Sequence, residues 1–82
     1  MLATIASITS ANRLKKHAAQ YGVETRIIQT PASLAKEGCG YSLRFDEVYK
    51  DTVSLAADDL NIKIRAFFYE TPSGANIIYN KI

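Results

Sequence analysis

The sequence predicts an α+β fold, and three observations predict it. Residues 41–45 and 62–69 alternate apolar and polar side chains, the pattern of half-buried strands. Residues 11–21 and 49–60 repeat apolar side chains at helical spacing. Turn and cap residues separate every such stretch, so each element is short. A chain of 82 residues makes one domain, 1–82, with no linker or repeat inside it.

Leu2 to Ser7 is apolar and small and reads as a buried strand. Ser10 can cap the helix that follows, whose stripe is Ala11, Leu14, Ala18 and Tyr21 and whose stop is Gly22. Arg13, Lys15, Lys16 and Gln20 fall on its wet side. Glu24 to Gln29 is a second strand, carried by Ile27 and Ile28. In the segment 30–38, Thr30 can cap, Pro31 suits a first helical position, and Gly38 suits the left-handed residue after a helix end. A single short helical turn is expected there. Tyr41 to Phe45 forms the third strand. Asp46 caps a second helix with Tyr49, Val53, Ala56 and Leu60 on one stripe, and Asn61 ends it. Along Ile62 to Tyr69 the pattern puts Ile62, Ile64, Ala66 and Phe68 on one face and Lys63, Arg65, Phe67 and Tyr69 on the other. A tight turn of type I is expected at Thr71-Pro72-Ser73-Gly74, with Ala75 to Ile82 returning as a fifth strand.

The order is β-α-β-β-α-β plus one strand, the ferredoxin-like pattern: an antiparallel sheet with two helices on one face and an extra C-terminal strand. The second face is then open, and an aromatic stripe at Phe67 and Tyr69 would need covering. A homodimer through that face, or through the edge strand ending at Ile82, would cover it.

Composition narrows the function. Hydrophobic residues are 48% and charged ones 22%, which excludes a disordered chain. A net charge of +2 does not by itself point to nucleic acid or an acidic membrane. The charges of the N-terminal segment follow its apolar stretch, the wrong order for a signal peptide, and no run is long enough to span a bilayer. One cysteine cannot form an internal disulfide, so a reducing, cytoplasmic setting is expected.

That cysteine, Cys39, is the one candidate chemical centre. It sits between Gly38 and Gly40 at a loop-to-strand junction rather than in an apolar run. Two readings stand. In one it is a small buried hydrophobe. In the other it is a working thiol: the glycines leave the sulfur uncovered and let successive amides converge on an anion. Lys36 and Arg44 would then add the positive charge that favours a thiolate. Against activation, Cys39 follows the end of the short helix, where the dipole is negative. His17, the only histidine, reads as a boundary residue on the first helix. One histidine and one cysteine build no zinc site, so neither metal nor cofactor is expected. Ser33 and Lys36 match an S-x-x-K pattern, but its companion motifs are missing, and capping is the role read for Ser33. The string Gly38-Cys39-Gly40-Tyr41 echoes an RNA-binding strand motif, yet lacks its first stacking ring. RNA binding through Phe67 and Tyr69 is therefore a third, disfavoured option.

The stretch from Thr30-Pro31 through Cys39-Gly40 to Arg44-Phe45 resembles the central motif of a small bacterial family of selenium/sulfur carrier proteins, in which a Thr-Pro pair precedes a Cys-Gly pair and a strand. The resemblance covers roughly residues 2–69, with the last strand additional. Ala32 stands where a basic residue often follows the proline, and Gly38 where a small polar residue often precedes the cysteine. The resemblance implies that Cys39 bears a persulfide or selenopersulfide, received from a donor protein and passed to an acceptor. Gly38 and Gly40 amides, Lys36 and Arg44 would support the charge, and Thr30 and Pro31 would shape the loop. Such a protein is a covalent carrier, not an enzyme. The alternative is a non-catalytic interaction or regulatory domain with a structural cysteine.

Overall fold

The computed structural model describes residues 1–35 and 40–82. Its sheet has five strands: β1 (Leu2–Ile5), β2 (Arg26–Gln29), β3 (Tyr41–Arg44), β4 (Ala66–Ser73) and β5 (Asn76–Lys81). Their order is β2-β3-β1-β4-β5, and every neighbouring pair is antiparallel. Two α-helices, α1 (Ile8–Gln20) and α2 (Lys50–Asp59), complete the α+β domain. Neither is long and apolar enough to cross a membrane, nor is any other helix among the described residues.

Both helices pack on the face of the sheet that carries Ala3, Ile5 and Leu43. Ala11, Leu14 and Ala18 of α1 and Val53, Ala56 and Ala57 of α2 join those residues, Val23 and Phe45 in one buried cluster. β1 lies centrally, and its other face is buried as well: Leu2 and Thr4 are as inaccessible as Ala3 and Ile5.

The helices end in the same way. Gly22 (φ 80) and Asn61 (φ 56) take the left-handed conformation just past the last turn. The amides of Gly22 and Asn61 reach Ala19 O and Asp58 O, and those of Val23 and Ile62 reach Ala18 O and Ala57 O. This doubled bonding satisfies the last carbonyls, and the residue after each left-handed position drops into the core. Val23 and Ile62 are both buried there.

Several sequence expectations are corrected. Ser7, not Ser10, caps α1: its backbone is extended and its hydroxyl accepts the Ser10 amide at 3.1 Å. The helix thus starts a turn earlier, and Tyr21 lies half exposed beyond its end. β2 begins at Arg26 rather than Glu24. Asp46 caps a 3₁₀ turn, Glu47–Tyr49, before α2 proper begins. β4 begins at Ala66 rather than Ile62, because Ile62 and Ile64 pack on the core outside the ladder. That shift reverses the reading of Phe67. It pairs with Ala3, packs against the core edge-on to Phe45, and lies under Lys50 Nζ at 5.0 Å. The expected aromatic stripe on the open face is therefore not formed. The last turn is also displaced: Ser73 still pairs with Asn76, so the hairpin closes in the two residues Gly74-Ala75. Gly74 (φ 60) alone has a positive φ, as the first central residue of a type II′ turn does.

Candidate thiol-bearing loop

β2 and β3 are antiparallel neighbours joined by a connection that runs from Thr30 to Gly40 and contains Cys39. Lys36, Gly38 and Cys39, with Glu37, lie outside the described residues, so the expectations placed on them rest on the sequence. The two ends of the connection are described, and they are fastened together. The Thr30 amide donates to Gly40 O at 3.0 Å, extending the ladder one pair beyond Gln29–Tyr41. The Thr30 hydroxyl lies 2.7 Å from the Ser42 hydroxyl, and both groups are buried. Buried hydroxyls need such partners, since an unpaired one would keep its full desolvation cost.

Thr30 was expected to cap the short helical turn, but its side chain is turned back onto β3 instead. The turn is a 3₁₀ segment, Ala32–Leu34, preceded by extended Pro31 (ψ 141) and without a side-chain cap. Ser33 is therefore not a cap either. Gly40 has no positive φ, it is exposed, and among the described residues beyond its chain neighbours an added Cβ would meet nothing within 4 Å. Backbone strain does not require glycine there.

Arg44 stands at the far end of β3 from the described ends of the loop. It ends β3 at Arg26, three pairs from Tyr41, and its guanidinium makes a bidentate pair with Glu70, at 2.9 Å for the shorter contact. Glu70 also lies 3.4 Å from the Met1 ammonium, which donates to Phe45 O at 2.8 Å. Arg44 thus ties β3 to β4 across β1. A cleft of about 430 Å³ at that same far end is lined by Thr25, Arg26, Arg44, Asp46 and Tyr49 and by no described residue of the loop.

Ser42 was missed as part of the site. Strand alternation put it on the wet face, and only the described fold shows it fully buried against Thr30. A second missed constellation joins the helices. Asp59 of α2 accepts the Tyr21 hydroxyl, and His17 Nε2 lies 2.9 Å from the same oxygen. The Tyr21 bond, then the His17 bond, lowers the Asp59 carboxyl below its ordinary value. That same bond raises the Tyr21 hydroxyl, helped by burial and the Asp59 charge. His17 is thus a boundary residue, as its position on α1 suggested, with a packing role.

These features define a small α+β domain that suspends a cysteine on a clasped hairpin connection. The chain belongs to the family described as "Putative Se/S carrier protein-like", which matches residues 1–69. The match takes in the loop and ends within β4, leaving the rest of β4 and all of β5 outside it. No curated protein and no solved structure gives a significant match.

Proposed function

We propose that the protein carries sulfur or selenium on Cys39, as a persulfide or selenopersulfide, between a donor protein and an acceptor protein. The observation that carries this reading is the family match across the whole cysteine-bearing hairpin. In loading, the Cys39 thiolate attacks the terminal sulfur of a donor persulfide. A new S–S bond forms at Cys39, the donor S–S bond breaks, and the donor departs as a thiolate. Delivery repeats the exchange with an acceptor thiolate attacking the terminal atom. No oxidant or reductant is consumed, and the protein is read as a carrier rather than an enzyme.

Three features support the reading. Cys39 is the only cysteine in the chain, so no internal thiol can displace the cargo as a disulfide. The clasp at Thr30, Gly40 and Ser42 anchors both ends of the loop. β1 ends beside β3 at the Ile5–Tyr41 pair, so the start of α1 at Ser7 opens toward the loop's end of the sheet. The positive end of a helix dipole would favour a thiolate or persulfide anion brought to that end of the sheet. Gly38 and Gly40 amides and the Lys36 charge would add to it. The proposal takes β2-β3-β1-β4 as a ferredoxin-like unit with β5 appended, working in a reducing bacterial cytoplasm.

Intact-mass measurement after mixing with a small persulfide donor tests the proposal. One added sulfur is expected on the wild type and none on Cys39→Ser, which keeps its fold. A wild type that takes no sulfur, or a Cys39→Ser variant that unfolds, overturns the carrier reading in favour of a structural cysteine.

A further inference from the structure

β5 is an edge strand that lacks the usual protection. Edges are normally blunted by charge, proline, bulges or a covering element. The opposite edge, β2, is four residues long and begins with Arg26. β5 is six residues long, contains no proline, and has Lys81 as its only charge, at its very end. Ile77 and Ile78 are each about half exposed, and they point to opposite faces because they are consecutive in a strand. α1 packs on β1, β2 and β3, away from this side of the sheet. From Glu70 to Ser73, β4 has β5 as its only strand neighbour, so this part of the hairpin stands clear of the sheet as a wing.

The sequence of β5 says what fits it. Read outward from Ile78, the residues are Ile77 and Tyr79, then Asn76 and Asn80. This arrangement is close to palindromic, and an antiparallel strand pair related by a two-fold axis needs that. We propose that β5 pairs antiparallel with β5 of a second copy of this chain, in the register that sets Ile78 against Ile78. Ile77 then faces Tyr79, an aromatic–β-branched pair, and Asn76 faces Asn80. Lys81 faces Ala75, so the two lysines lie at opposite ends and no like charges meet. The result is one continuous sheet with five strands from each copy. The outward amides and carbonyls of both β5 strands are satisfied by each other. This pairing lies outside the family match and does not depend on what Cys39 carries.

Sedimentation of the full chain across concentrations tests the pairing, with Ile78→Lys and Ile78→Glu as variants at an exposed position. The wild type is expected to dimerise. Each variant alone places like charges face to face and should raise the dissociation constant about tenfold or more. An equimolar mixture of the two sets Lys against Glu and should dimerise again. Amide hydrogen exchange reads the same edge in the unaltered chain: protection of β5 should rise with protein concentration while that of β2 does not. The proposal is overturned by a wild type that stays monomeric at high micromolar concentration. It is equally overturned by single variants that dimerise like wild type, by a mixture that stays monomeric, or by protection that rises elsewhere than β5.

Discussion

The two hairpins of the sheet are built on opposite plans. β2–β3 has strands of four residues each and a long connection, 30–40, whose base is clasped by Thr30. β4–β5 has strands of eight and six residues and closes in the two residues Gly74-Ala75. Ser42 and Leu43 of the first are fully buried, whereas the second packs only through the start of β4 and is exposed from Thr71 onward except at half-buried Tyr79. Arg44 and Glu70 join them across β1. Family likeness covers the first completely and stops inside the second. The contrast separates two hairpins: one whose strands are clasped at the base of a long connection, and one whose outer strand is itself an exposed edge.

The largest expected difference between the hairpins lies in their side chains. Leu43 on β3 is fully buried, and Leu43→Ala should cost about 2–5 kcal/mol. Ile78→Ala on β5 should change monomer stability by no more than about 0.5 kcal/mol. Urea unfolding of the two variants below the association range makes the comparison, and equal losses would erase it. Next comes the clasp. Thr30→Val leaves the Ser42 hydroxyl buried without its partner, and a loss of about 1–3 kcal/mol is expected. The double variant Thr30→Val with Ser42→Ala should lose less than the sum of the singles, because neither hydroxyl is then stranded. Thr30→Val should also change the alkylation rate of Cys39. An unchanged rate would mean the clasp does not govern the thiol.

The turns give a smaller contrast. Gly74→Val forces a β-branched residue to a φ of 60, at a cost of about 1–2 kcal/mol. Gly40→Ala meets no described residue beyond its chain neighbours, at an ordinary φ, and should stay within about 0.5 kcal/mol. Thermal unfolding separates the two, and a larger loss at Gly40 would reverse the assignment. The smallest effect belongs to the water-exposed Tyr21–Asp59–His17 clasp, which touches neither hairpin. Asp59 is lowered from 3.8, so its contribution is present above that value and is lost as pH falls through the lower folded value. Tyr21 is raised from 10.0, so its contribution is full below that value and is lost as pH rises through the higher folded one. The melting-temperature gap between wild type and Asp59→Asn should therefore narrow on acidification. A gap that widens in acid would show that Asp59 acts otherwise.

Element order was legible from periodicity and punctuation. Gly22 and Asn61 marked both helix ends, and their left-handed conformations are why. Alternation held over Ile62–Arg65, where Ile62 and Ile64 meet the core and Lys63 and Arg65 are exposed, but its phase slips before β4, so that Phe67 meets the core as well. It failed at Ser42, since a polar residue on an alternating strand reads as wet unless its hydroxyl partner is known. Arg44 looked close to Cys39 in sequence, but a strand carries its two ends apart by about 3.3 Å per residue. The cysteine and its flanking glycines were the part of the site that sequence alone could single out. The clasp beneath them needed the register of β2 on β3.

The bond from Thr30 to Gly40 makes the sheet's end a socket for interchangeable loops. With the stem closed by its own contacts, the chain between can change length while the strands keep register. For a flexible loop, doubling that length adds only about 0.6 kcal/mol of closure entropy. Loops bearing other reactive side chains could therefore be grafted between Thr30 and Gly40. The domain becomes a compact handle for one inserted loop at a time.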